Sequence, residues 1–484
     1  MTPTPPAAPR ASRSRTPRPQ APGGGGTAPE LLELDAGAPA HGGFCVARKD
    51  DDPTGVVVLV RHCLPGERVR ARVTARASRV WYAEAVEVLR ASPDRVSPVW
   101  AEAGPGGVGG GELSHVALGA QRTWKRWVLA DCLRRIGGGD VVQAVEALPG
   151  AAPGQAVAVE AMPSELAAQA SDDPRTRARA GTRTRTRVSL EVTAQGRAGM
   201  HGFRSGQVLE VRQLPLAVAP IQQLGLTQDR RWRHHYRPGA RLTAVAPSTG
   251  EPLVVVGEEV LTARARPTGR RRVTEVVDAT ALGLGELRYH VHVGGFWQVH
   301  RDAPRVLTER VVRAVVEDHP TAAGGHPGPG ALRADGLRVL ELYSGSGLLT
   351  LPLAALGARV TCLEGSAQAV ADARRNLHDH PDARLVTGAV TADSVTELGS
   401  SFGPGRGADV VVLDPPRRGA GRRVVEAVAA LEPSRVVLVA CDPAALARDL
   451  AAFLGQGFRL GDLAALDMFP HTHHLEALAV LERA

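Results

Sequence analysis

The spacing of apolar side chains along this chain of 484 residues changes character several times. Residues 1–29 are mostly Pro, Ala, Arg and Gly. Burial there cannot offset the entropy of ordering, so a disordered tail is expected. Short β-type runs follow at 31–34, 44–47, 55–60, 67–73 and 79–89, separated by turn residues such as Asp51-Asp52-Pro53 and Pro65-Gly66. Five short strands so close together predict a small β-barrel of the oligonucleotide-binding sort. Over 112–136 the spacing becomes helical, through Leu113, Val116, Leu118, Trp124, Val128, Leu129 and Leu133, and it stops at Gly137-Gly138-Gly139. Strands at 188–192, 208–212, 241–245, 253–256, 272–277 and 287–293 predict a mixed central region. A helix over 303–317 and a Pro/Gly/His loop over 318–337 complete it.

The last third reads as buried strands alternating with helices: strand 337–342, helix 349–356, strand 359–363, then strands 409–413 and 435–440. That order predicts an α/β fold with a Rossmann-like C-terminal sheet. The expected division is a tail (1–29), a barrel (30–92), a central domain (93–295) whose helix 112–136 packs on the catalytic part, and a catalytic domain (296–484).

Charge sharpens this division. Residues 1–320 carry a net +11 and residues 321–484 a net −3, which together give the +8 of the whole chain. A basic N-terminal part joined to a slightly acidic one fits polyanion binding beside catalysis, although an Arg-preferring composition produces the same excess. The alternation through Arg183, Arg185 and Arg187 puts three guanidiniums on one strand face, where they are expected to fork onto phosphates. Five scattered cysteines without a CxxC pair argue against a disulfide framework and for a reducing cytosol. No run is long and apolar enough to span a membrane, and no secretory leader is visible.

The candidate chemistry lies at strand ends. Strand, Gly345-Ser346-Gly347 turn, helix, strand and terminal Glu364 describe one nucleotide-binding βαβ unit. The glycines allow close backbone approach, and the carboxylate can accept both hydroxyls of a ribose. With no third glycine of the dinucleotide fingerprint, S-adenosylmethionine is favoured over NAD. Asp414, in Asp414-Pro415-Pro416-Arg417-Arg418-Gly419, should project into the same site; Arg417 replaces the aromatic that exocyclic-amine methylation would need. The strand 435–440 delivers Cys441 to this edge. A thiolate there could add to carbon-6 of uracil and make carbon-5 nucleophilic. Glu476 is the candidate acceptor for the carbon-5 proton. A reactive Cys441 would need a pKa below the usual thiol value of about 8.5. The His471-Thr472-His473-His474 run matches neither HExxH nor a zinc-finger pair, so no metal site is expected.

Together ELYSGSG, LDPPRRG, ACDP and DMFPHTHHLE resemble the RNA uracil-5-methyltransferase family, and residues 44–73 resemble its TRAM RNA-binding module. The resemblance implies S-adenosylmethionine as cofactor and a tRNA or rRNA uridine as substrate. It matches Cys441 to the nucleophile and Glu476 to the general base. It also matches Gln298 (in Phe296-Trp297-Gln298), Tyr343, Glu364 and Asp414 to cofactor-binding positions. Where relatives carry an iron–sulfur CGGC run this chain has Val108-Gly109-Gly110-Gly111, so no cluster is expected. His300 and Leu348 replace Asn residues usual in the family. A cytoplasmic monomer is favoured. A cytosine-5 RNA methyltransferase, or a non-catalytic RNA-binding protein on the same scaffold, stays open.

Overall fold

A computed structural model describes residues 30–49, 55–149, 151–317, 332–400, 402 and 407–484. The expected tail, the Asp51-Asp52-Pro53 turn and most of the 318–337 loop lie outside the described residues. The chain forms two compact units: Met1–Ala38 with Phe44–Pro93, and Pro39–Gly43 with Asp94–Ala484.

The first unit contains the five strands that the spacing predicts: Leu31–Asp35, Phe44–Arg48, Val57–Arg61, Arg68–Arg76 and Val80–Arg90. The first strand pairs antiparallel with the fourth, the fourth with the fifth, and the second with the third. The third and fifth run parallel. Backbone bonds Gly37 N–H to Val46 O (2.8 Å) and Val46 N–H to Ala38 O (2.9 Å) join the two ends of the curled sheet. The sheet curls into a partly open barrel, as in OB-type folds. Alternate residues, among them Leu34, Val58, Val60, Val69 and Ala71, fill the interior. On the outside Arg68 donates to Asp35 at 2.7 Å, and Arg70 to Glu33 at 3.2 Å.

The second unit holds two large sheets and a two-stranded one, Arg272–Asp278 paired antiparallel with Glu286–His292. One large sheet is wholly antiparallel: Val208–Glu210, Ala198–His201, Arg187–Val192, Arg241–Val245, Leu253–Val256 and Glu259–Thr262, in that spatial order. The other has parallel strands in the order Arg384–Thr387, Arg359–Glu364, Arg338–Leu342, Val410–Leu413 and Arg435–Ala440. Glu476–Arg483 then adds antiparallel beside Arg435–Ala440, and Phe458–Leu466 beside that. The central strands are Val- and Leu-rich runs buried on both faces, as a helix-covered parallel sheet requires. Val159–Glu160, far upstream in sequence, pairs with the outer edge of this sheet.

Two expectations are corrected here. The helix runs only over Leu118–Cys132, followed by a wider turn at Leu133–Gly137. Residues 112–117 are drawn into other contacts: Leu113 N–H bonds His471 O at 3.0 Å, and Ala117 N–H bonds Asp94 O at 2.9 Å. The arginine alternation does not make a phosphate-gripping face. Arg183 has a positive φ of 54°, which breaks the strand, and the strand begins only at Arg187. Arg187 is buried, donating to Glu275 at 3.0 Å. Arg185 donates to Gly110 O at 2.8 Å. Neither guanidinium faces solvent freely enough to track a polyanion.

The Arg187–Glu275 pair should be sensitive to losing one partner. Glu275→Ala should cost about 3–5 kcal/mol in urea unfolding because it strands a buried guanidinium. Arg187→Met combined with Glu275→Leu should cost much less than that single change.

Candidate active site

The parallel strands end at one edge, and the turns there carry the chemistry. Arg338–Leu342 leads into Tyr343, whose φ of 66° is unusual for a bulky residue and marks a constrained turn. Gly345 (φ 56°) and Gly347 (φ 87°) continue it in a region that L side chains rarely enter. Several anchors fix this turn. Asn376 Nδ2 donates to Ser346 O at 2.9 Å, and Tyr289 Oη donates to Leu348 O at 3.0 Å. Glu364 accepts from Gly345 N–H at 3.0 Å and from Ser366 N–H at 2.7 Å. Its carboxylate is thereby held over the glycine turn.

The next strand, Val410–Leu413, ends at Asp414. The turn beyond is set by buried Asp449, which accepts from Ala420 N–H at 2.8 Å and Gly421 N–H at 3.1 Å. A Cβ at Gly419 would stand 2.5 Å from that carboxylate, so only glycine lets the loop close on it.

Arg435–Ala440 ends at half-buried Cys441. Asp442 then caps the following helix, Pro443–Leu454, accepting from Ala444 N–H (3.0 Å) and Ala445 N–H (2.9 Å). Its other oxygen meets His41 Nε2 at 3.0 Å. The antiparallel register pairs Ala440 with Ala477, so Cys441 and Glu476 lie side by side at the end of two neighbouring strands. The structure thus gathers Cys441, Glu476, Asp414 and Glu364 along one edge, two sequence-distant acids and the thiol being within electrostatic reach. Gln298 is half-buried behind the exposed Phe296 and the buried Trp297, and its side chain makes no hydrogen bond among the described residues. Trp297 packs on Tyr289 with ring centroids 5.1 Å apart.

The electrostatics of this edge run opposite to one expectation. Burial, then the charges of Glu476 and Asp414, pushes the Cys441 thiol up to about 12, with Arg417 working the other way. Burial and Asp414 hold Glu476 well above the usual carboxylate range, again opposed by Arg417. Burial and Glu364 raise Asp414. Burial among these acids favours the protonated thiol, against the lowered pKa that a reactive Cys441 would need.

The loop between the last two strands is held from behind. Lys125, on the helix Leu118–Cys132, donates to Asp467 and to Phe469 O (3.0 Å). Gln121 Oε1 accepts from His471 N–H at 2.6 Å. The three histidines take separate polar partners, although the His473 and His474 ring centroids lie 4.0 Å apart: His471 Nδ1 meets Gln121 Nε2 at 3.1 Å, His473 Nδ1 meets Glu112 at 3.1 Å, and His474 Nε2 lies 3.4 Å from Arg417. They do not converge on a point. Sequence reasoning passed over Lys125, Glu112, Asn376, Tyr289 and Asp449 as supports; the one visible signal was Lys125, one of only two lysines.

The residues in the family's cluster-ligand run do not fit iron–sulfur ligation. Val108 is buried in an apolar core with Trp100 and Leu190. A Cβ at Gly111 would come within 2.8 Å of both Trp100 and Ala103. Of the two replaced Asn positions, His300 is buried and accepts from Asp302 N–H at 3.1 Å ahead of the helix Ala303–Val316, with burial pushing it down to about 4. Leu348 contributes its carbonyl to Tyr289.

Residues 406–484 match the family model described as tRNA (Uracil-5-)-methyltransferase. An uncharacterized RNA methyltransferase of Streptomyces avermitilis is 36% identical, over 94% of this chain and 99% of its own. The 23S rRNA (uracil(1939)-C(5))-methyltransferase of Halomonas elongata is 32% identical, over 92% of this chain and 88% of its own. The chain belongs to the S-adenosylmethionine-dependent RNA (uracil-5-)methyltransferase family. The fold agrees: the Pyrococcus abyssi tRNA (uracil-54, C5)-methyltransferase, solved with S-adenosyl-L-homocysteine, superposes with a TM-score of 0.59 at 21% identity, covering 93% of this chain and all of that one. Within this uracil-5-methyltransferase, no helix among the described residues is long and apolar enough to cross a membrane.

Glu112 generates a pH prediction. Burial raises its pKa, but the His473 hydrogen bond and charge outweigh this and bring it down to about 2. A depressed carboxylate adds stability above its unfolded pKa of about 4.3 and loses it as the pH falls toward the folded value. Glu112→Gln should therefore unfold at lower urea than the parent at pH 6, by about 3 kcal/mol. The gap between the two midpoints should close as the pH falls from 5 to about 2.

Proposed function

We propose that this protein methylates carbon-5 of a uridine in structured RNA through a covalent adduct on Cys441, with Glu476 as the base. The observation that carries the reading is the register placing Cys441 beside Glu476 at the carboxyl edge of the parallel sheet. S-adenosylmethionine, when bound, supplies an electrophilic methyl group. The residues present suit it: Glu364, held over the Gly345–Gly347 turn, offers oxygens to ribose hydroxyls, and the acids Glu364 and Asp414 favour a cationic ligand. Tyr343 and Gln298 complete the proposed cofactor wall.

The proposed division is a TRAM-like barrel over 30–92, a central RNA-binding domain over 93–295 and a methyltransferase domain over 296–484. A uridine must leave the stack to reach the strand edge, at a cost of about a few kcal/mol. The thiol passes its proton to water as sulfur bonds to carbon-6, and the electron pair of the carbon-5–carbon-6 double bond moves toward the oxygen at carbon-4 as an enolate. Arg417, whose charge reaches both Cys441 and Glu476, offsets the negative charge formed. After methylation Glu476 accepts the carbon-5 proton, the carbon-6–sulfur bond breaks, and the thiolate is released. A carboxylate held above its ordinary range is a stronger base for that step. The relatives' ribosomal names make 23S rRNA the first substrate to test.

Incubation with 5-fluorouridine-containing 23S rRNA and S-adenosylmethionine should leave an adduct stable in denaturing gels, because fluorine cannot depart as a proton. Cys441→Ala should abolish it. Absence of any adduct from a folded, cofactor-binding protein would overturn the mechanism, and methyl label on cytidine would move it to cytosine. With ordinary RNA, Glu476→Gln should accumulate adduct and slow turnover by about 10²–10⁴-fold. Turnover by the parent should rise as the pH climbs through the elevated Glu476 pKa, a dependence that Glu476→Gln should lack.

A further inference from the structure

The antiparallel half of the second unit contains a cavity of about 510 Å³ that the methyl-transfer chemistry does not use. Two segments form its rim: residues 178–183, and residues 212–215 running on to 221–228. Its floor is aliphatic, from Leu214, Ile221 and Leu226, all buried. Three guanidiniums line it, those of Arg179, Arg183 and Arg212, the first and last exposed and Arg183 half-buried.

What distinguishes these arginines is what they lack. Among the described residues, none of the three is in an ion pair, and none donates a side-chain hydrogen bond. Two other arginines of this half are paired with acids: Arg231 lies 3.3 Å from Asp229, and Arg197 lies 3.6 Å from Glu210. Acids on the flanking segments are already engaged. Asp173 accepts from the N–H groups of Arg175 and Thr176, both at 3.1 Å. Glu102 accepts from Arg212 N–H at 2.9 Å and Gln213 N–H at 3.2 Å. Those bonds lock the strand edge that carries Arg212.

The backbone makes the same point. Arg183 occupies the left-handed region at φ 54° and its N–H bonds Pro215 O at 3.2 Å, which clips the two rims together. A bulky residue in that conformation is costly and tends to accompany function. This deviation also removes Arg183 from the buried course taken by Arg185 and Arg187.

We propose that this groove is a phosphate-binding track for the substrate RNA, distinct from the pocket that receives the target uridine; the proposal rests on the RNA-methylating reading above. Unpaired guanidiniums on two segments suit successive phosphates of a strand, which arginine recognises through paired N–H donors. The lining has no aromatic ring, so the track should bind by charge rather than by base.

The test is affinity of the full-length protein for protein-free 23S rRNA across a potassium chloride series. For Arg179→Gln/Arg183→Gln/Arg212→Gln, the slope of log affinity against log salt should fall by about 2–3, since each neutralised phosphate contributes roughly 0.7–0.9. Cofactor affinity should be unchanged. Arg179→Gln/Arg212→Gln, which leaves the strained position alone, should lower the slope by about two thirds as much, roughly 1.4–1.8. A control with three ion-paired surface arginines, Arg288→Gln/Arg333→Gln/Arg422→Gln, should retain the parent slope. A parent-like slope in the groove variants would overturn the proposal, as would an effect seen only with ribosomal particles, which would assign the groove to a protein partner. A parent that binds RNA but traps no 5-fluorouridine adduct would instead count against the methylation reading.

Discussion

An ammonium and a carboxylate fully removed from water, Lys125 and Asp467, hold the loop on which the catalytic edge depends. Burial alone drives the Lys125 pKa down, and Asp467 opposes this. Such a pair contributes little net stability, because desolvation offsets most of the attraction. Its effect is on position. Lys125 also reaches Phe469 O, Gln121 captures the His471 backbone, and Leu113 N–H takes the His471 carbonyl. The chain from Asp467 to Glu476 is therefore tied to a helix more than 300 residues upstream. Loss of either charge would leave the other buried and uncompensated.

The same economy of charge governs the strand ends. Glu364 hinders ionisation of Asp414, Asp414 hinders that of Glu476, and burial together with Glu476 and Asp414 suppresses that of Cys441. The resting arrangement is short of positive charge.

Much of this was legible from residue order. Strand, glycine turn, helix, strand and terminal acid follow from buried runs and turn chemistry, and Cys441 at a strand end follows from the Val-rich run before it. The barrel strands fall within a few residues of their expected limits for the same reason. The failures share a cause: partners supplied from far away in sequence. Arginine alternation looks the same whether the guanidinium meets solvent or a buried acid such as Glu275. Helical spacing at 112–117 was overridden by the bond to His471 O. The thiol pKa depends on acids that only the folded sheet brings near.

The reversed last strand has one further consequence. Adjacent strands lie about 4.7–4.9 Å apart in any sheet, so the backbone gap between Cys441 and Glu476 is fixed by peptide hydrogen bonding rather than by side-chain packing. That makes the sheet a ruler for the reaction. Sequence drift in the loops cannot lengthen the interval, whereas a one-residue slip of the final strand would turn Glu476 to the opposite face.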